Sequence, residues 1–143
     1  MPRIFDGQVV LITGGSSGIG RSTAIAFARE GARVVIASRR PEESEETVRL
    51  VKAEGSTGLF VPTDMKKPAD IQAMVARTIE HFGQLDHAFN NAGIEGDMFV
   101  PTADYSEATW NDVITVNLTS VFLSMKSEIP YLLKTKGSIV NMA

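Results

Sequence analysis

The chain has 143 residues, 43% of them hydrophobic and 22% charged, with a formal charge of −3. That suits one globular domain with its own core and leaves no basic footprint for nucleic acid or an anionic membrane. There is no cysteine, which excludes disulfides and thiolate metal sites, and no apolar run nears the about 18 residues of a membrane span, so a metal-free cytoplasmic protein is expected.

Strand and helix patterns alternate along the whole chain. Gln8–Thr13 reads as a first strand, apolar and largely β-branched as in a strand covered on both faces. A helix starts near Gly18, carries Arg21–Glu30, and is stopped by Gly31. Arg33–Ser38 is a second apolar strand. Pro41–Glu54 is a helix with Pro41 in its first turn and Glu42 and Glu43 at its positive end. Gly58–Pro62 is a short third strand. In Asp70–Phe82, residues Ile71, Met74, Val75, Thr78, Ile79 and Phe82 recur at helical spacing. His87–Asn90 is a fourth strand, ending abruptly in Asn90-Asn91-Ala92-Gly93. After a loop over Ile94–Tyr105, Ser106 is an N-cap for a long helix from Glu107 to about Lys134, with room for a bend and with Pro130 expected to distort or shorten its end. Gly137–Met142 is a fifth strand. Strands joined by helical crossovers demand an α/β fold: a doubly wound parallel sheet with helices on both faces.

The first strand runs straight into Thr13-Gly14-Gly15-Ser16-Ser17-Gly18-Ile19-Gly20. A turn poor in side chains lets backbone approach a diphosphate, and the helix behind it offers unpaired N–H groups and partial positive charge. Gly14, Ser16, Ser17, Gly18, Ile19 and Gly20 are therefore the candidate phosphate cradle of a nucleotide site. The second strand closes on Ser38-Arg39-Arg40. In dinucleotide folds an acid at this strand end bonds the 2′-hydroxyl of NAD, whereas a cation accommodates the 2′-phosphate of NADP. With no carboxylate and two guanidinium groups, Ser38, Arg39 and Arg40 favour NADP(H), with NAD(H) possible. The other reading of the arginines is a solvated turn whose field Glu42 and Glu43 blunt. Asp64, beside Met65 after the third strand, could accept a hydrogen bond from an adenine amino group or serve as a turn aspartate. Asn91, Ala92 and Gly93 lie at the strand end where such sheets bind ligands, and the asparagines could tie the fourth strand to the first turn. Asn117 is a polar amide in mid-helix, suited to bending it and holding water.

Taken together, Thr13–Gly20, Asp64, Asn90-Asn91-Ala92-Gly93 and Asn117 resemble the short-chain dehydrogenase/reductase family over essentially the whole chain. The resemblance implies a Rossmann-type sheet cut after its fifth strand, and an NADP(H)-dependent oxidoreductase. The enzyme would move hydride between nicotinamide and a carbonyl or secondary alcohol, as sugar and ketone dehydrogenases and 3-oxoacyl-carrier-protein reductases do. It implies that the glycine turn cradles the diphosphate and that Arg39 marks NADP preference. Asp64, with Met65, would meet adenine. Asn91-Ala92-Gly93 would lie along the riboses, and Asn117 would belong to the catalytic set, holding a water in a proton relay. Members are usually dimers or tetramers, so the long helix over Ser106–Lys134 is expected to pair with its copy. The family's serine and Y-x-x-x-K follow the fifth strand, and Tyr105 and Tyr131 have no lysine four residues on. Residues 1–143 are thus expected to be a single, incomplete NAD(P)-binding domain from a longer enzyme. A rival expectation is a non-catalytic nucleotide-binding protein or sensor.

Overall fold

The computed structural model describes residues 2–143. Five parallel strands form one sheet: β1 (Val9–Thr13), β2 (Arg33–Ser38), β3 (Gly58–Pro62), β4 (His87–Asn90) and β5 (Ser138–Asn141), in the order β3-β2-β1-β4-β5. The crossover helices are α1 (Gly18–Arg29), α2 (Pro41–Ala53) and α3 (Pro68–Phe82). A helical run of three parts then joins β4 to β5: α4 (Glu107–Ile114), a π-helical turn (Thr115–Thr119) and α5 (Ser120–Thr135).

The strands alternate between two cores, as period-two side chains require. Val9, Leu11 and Val35 pack with Ile71, Met74, Val75, Val116 and Leu132 on one face. Val10, Ile12, Val34 and Ile36 pack with Ala24, Ala28, Val48 and Val51 on the other. Every residue of β1 is buried, which accounts for its unbroken apolar run. Small residues on α1 let that helix lie close to the sheet.

The element bounds agree with the sequence reading to within two residues, and three features stand out. Helix α3 begins at Pro68, earlier than Asp70, because Pro68 occupies a first-turn position where its missing N–H costs nothing. The long helix is broken at Thr115–Thr119, around Asn117, by the π-helical turn. Pro130 neither shortens nor ends the helix, which runs on to Thr135 and closes on Lys136 in the left-handed conformation. Ser106 caps α4 as expected, accepting from the Thr109 N–H at 3.3 Å.

The topology settles where a ligand can sit. The crossovers from β1 and β4 leave on opposite faces, so the ends of these neighbouring strands part to leave a crevice at the point where strand order reverses.

Candidate functional site

A cleft of ≈ 570 Å³ opens at that crevice. Its walls bring together four separated stretches: Gly14 and Ser16–Ile19 after β1, Ser38–Arg40 after β2, Asp64 and Met65 after β3, and Asn91–Gly93 after β4. Of the sequence candidates only Gly20 and Asn117 stand outside the lining.

Gly20 acts from behind. A Cβ there would drive into the Gly14 carbonyl oxygen and come within 2.9 Å of Asn91 Nδ2, so this glycine exists for close approach of α1 to the turn. Gly14 and Gly18 have φ of +65° and +53°. A Cβ on Gly14 would meet Ala92 Cα at 3.0 Å, whereas one on Gly18 would meet no protein atom within 4 Å. Ser17 is the N-cap of α1 but makes no side-chain cap, and no acidic residue stands in the first turn. The free N–H groups and partial positive charge of this helix end are therefore directed at the cleft rather than neutralised by the protein. These features fit the diphosphate of a dinucleotide.

The end of β4 is pinned to the turn as the asparagines suggested. Thr13 Oγ1 accepts from the Asn91 and Ala92 N–H groups, each at 3.0 Å. Asn91 Nδ2 donates to the Thr13 and Gly14 carbonyls at 3.3 and 3.2 Å. Thr13 belongs to the glycine-turn motif but not to the candidate site residues, although a hydroxyl closing an otherwise apolar run is a signal for such a tie. Thr13→Val should cost about 2 kcal/mol, since it keeps the volume but leaves two N–H groups without an acceptor. Urea unfolding checks this, and a loss within a few tenths of a kcal/mol would show the strand end to be held elsewhere.

Arg39 and Arg40 are exposed, and among the described residues neither forms an ion pair. Glu42 and Glu43 do not tie them up. The Arg40 N–H donates to Ser38 Oγ at 3.1 Å, turning the chain at the cleft rim. Asp64 does double duty: it lines the cleft and its Oδ1 accepts from the Lys66 N–H at 3.0 Å in a local turn.

Asn117 faces the loop after β4 and is exposed. Its Oδ1 accepts from the Ile94 N–H and its Nδ2 donates to the Ile94 carbonyl, both at 2.8 Å. The amide thus clips the π-helical turn to the cleft wall. Of the two tyrosines, Tyr105 accepts from the Asp97 N–H at 3.1 Å and Tyr131 lies under Lys134, 5.3 Å from Nζ.

A buried carboxylate, which no local pattern signals, lies behind the site. Glu128 of α5 is fully buried, and its Oε1 accepts from Asn90 Nδ2 at 2.9 Å. Asn90 also donates to Asn141 Oδ1 at 3.0 Å. Burial pushes the Glu128 carboxyl up to about 7 against the lowering effect of the Asn90 hydrogen bond. Among the described residues no group of three or more His, Asp or Glu converges as a metal site would.

Residues 8–143 match the family described as short chain dehydrogenase. The chain belongs to that family. A short chain dehydrogenase/reductase, astE of Aspergillus oryzae, is 42% identical over 140 residues, covering 96% of this chain and 53% of that protein. Cyclohexanol dehydrogenase of an Acinetobacter species is 40% identical over 144 residues, covering 100% of this chain and 57% of the relative. Among solved structures, levodione reductase superposes with a TM-score of 0.92 at 36% identity, over 97% of this chain and 55% of the other. NAD+-bound xylitol dehydrogenase gives 0.93 at 30% identity, over 98% and 54%. The chain therefore spans about half the length of the relatives it matches.

Proposed function

We propose that residues 1–143 form a single nucleotide-binding domain that holds NADP(H), with NAD(H) as the weaker alternative, for an oxidoreductase acting on a small carbonyl or secondary alcohol. The observation that carries this reading is the convergence of the glycine turn, Ser38–Arg40, Asp64–Met65 and Asn91–Gly93 on one cleft at the strand ends. When bound, the cofactor supplies or accepts the hydride at its nicotinamide ring. The protein's part is to hold it. The N-terminus of α1 and the N–H groups of the turn meet the diphosphate. The exposed guanidinium groups of Arg39 and Arg40 meet the 2′-phosphate with paired donors, and Asp64 and Met65 bound the adenine end. Ala92 and Gly93 leave space for the riboses. Asn117 holds the Ile94 loop in place and is the chain's contribution to proton handling. Leu118, Phe122, Ile129 and Leu133 are large apolar residues exposed on the π-helical turn and α5. They suit pairing of this helix with a second copy in a dimer or tetramer of a cytoplasmic enzyme.

Ser38→Asp combined with Arg39→Ala tests the cofactor assignment. A carboxylate would repel the phosphate's charge of about −1.5 to −2 and bond a ribose hydroxyl instead. Fluorescence titration should show NADPH binding weakened and NADH binding strengthened. Dissociation constants unchanged for both would refute the assignment. The engagement of both Asn117 amide atoms by Ile94 favours a second reading, a nucleotide-binding protein without catalysis. NADPH binding with no turnover of any ketone or alcohol by the whole protein would support that reading.

A further inference from the structure

Arg21 stands near the start of α1, beside the expected anion site, yet its guanidinium is turned to the protein. Nη2 donates to the Ser16 carbonyl at 2.7 Å and to the Glu43 carbonyl at 2.9 Å, and Nε donates to Thr47 Oγ1 at 3.0 Å. Thr47, on α2, is completely buried. Its hydroxyl donates to the Gly15 carbonyl at 2.9 Å, with the Glu43 carbonyl an alternative acceptor at 3.2 Å. Two successive carbonyls of the glycine turn are therefore held from the protein side, Gly15 by Thr47 of α2 and Ser16 by Arg21 of α1, whose guanidinium is itself bonded to α2.

The consequence follows from peptide geometry. In a trans peptide the C=O and the N–H of the next residue point in opposite directions, and there are no cis peptides here. Fixing the Gly15 carbonyl on Thr47 and the Ser16 carbonyl on Arg21 turns the Ser16 and Ser17 N–H groups away from those two side chains. Among the described residues neither N–H meets a backbone acceptor. The cleft is lined by Ser16 and Ser17 and by no residue of α2. The same contacts join the turn to the helix that begins directly after Arg39 and Arg40.

We propose that Arg21 and Thr47 are positioning residues for the cofactor diphosphate, orienting the Gly15–Ser16 and Ser16–Ser17 peptides so that their N–H groups face it. This rests on the nucleotide reading of the cleft. Neither side chain touches the cofactor. They act through the turn, and a preorganised turn pays less ordering cost on binding than a loose one.

Thr47→Val and Thr47→Ser separate positioning from packing. Valine keeps the volume and removes the hydroxyl, and serine does the reverse. Thr47→Val should raise the dissociation constants of NADPH and NADH by the same factor, about 3 to 10 from the loss of a fixed hydrogen bond. Thr47→Ser should restore both, although its lost methyl lowers the thermal midpoint. Arg21→Met, at a half-buried position, should weaken both dinucleotides as Thr47→Val does, and it supplies an independent comparison should the buried valine variant not fold. Unchanged affinity in folded Thr47→Val or Arg21→Met overturns the proposal. So does equal loss in the valine and serine variants, which would mean packing, and so does a loss confined to NADPH, which would place the effect at the 2′-phosphate. A parent chain that binds neither dinucleotide would instead overturn the nucleotide reading, and this proposal with it.

Discussion

Gly20→Ala should destabilise the chain by about 3 kcal/mol, an overpacking cost, and abolish dinucleotide binding. The added methyl collides with a group that has no room to retreat. The Gly14 carbonyl already accepts from Asn91 Nδ2 at 3.2 Å, the Gly14 N–H donates to the Ala37 carbonyl at 3.0 Å, and Gly14 Cα is backed by Ala92. Relief requires α1 to move outward or β1 to release β4, and either opens the crevice. Gly18→Ala is the control. Its Cβ meets nothing, so only the left-handed backbone opposes it, at about 1–2 kcal/mol. Urea unfolding with NADPH titration should therefore rank Gly20→Ala well below Gly18→Ala in stability. Equal losses would show that the turn repacks and that close helix approach is not what Gly20 provides.

That ranking also marks how far the sequence could be read. The three turn glycines look alike in the spacing of Thr13–Gly20, and periodicity cannot distinguish a glycine demanded by φ from one demanded by a neighbouring carbonyl. The strands were readable because β1 and β2 are buried on both faces and carry nothing but apolar or small residues through their middles. Asn91 was readable as a tie because an amide at a strand end beside a glycine turn has few other uses. Asn117 was singled out as a polar residue bending a helix, and the π-helical turn around it bears out the distortion, while its bidentate grip on Ile94 depends on a loop that no local pattern places. Arg21 and Thr47 are 26 residues apart, and their meeting is a product of the crossover. The facing of helix α5 is the least legible feature. Its Ser120, Ser124, Glu128 and Leu132 stripe is buried, while Phe122, Ile129 and Leu133 are exposed. Hydropathy alone would have turned the helix the other way.

That inverted stripe sets up the second large effect. Glu128→Gln should remove a fall in stability that the parent chain shows between about pH 4.5 and pH 7. Burial raises the Glu128 carboxyl from 4.5 to about 7 in the folded chain, and among the described residues no cation pairs with it. Between those values the folded state holds a proton that the unfolded state has released. Stability from this group is complete below pH 4.5, declines as pH rises through the window, and is gone above 7, a loss of about 3 kcal/mol. The geometry agrees with a carboxyl that is neutral when folded, since Glu128 Oε2, Asn90 Oδ1 and Ser124 Oγ are all buried without a partner. A glutamine keeps an acceptor for Asn90 Nδ2 and places a donor where Oε2 has none. His87 works in the opposite sense: burial lowers its value below 6.5, so its contribution rises with pH toward the unfolded value. The difference between parent and variant cancels His87 and isolates Glu128. Urea midpoints should coincide near pH 4.5 apart from a constant offset, and the variant should gain on the parent steadily up to pH 7. A difference that stays flat across the window would mean that Glu128 is ionised and solvated in the folded chain, and the polar cluster joining α5 to the ends of β4 and β5 would then have to be open to water.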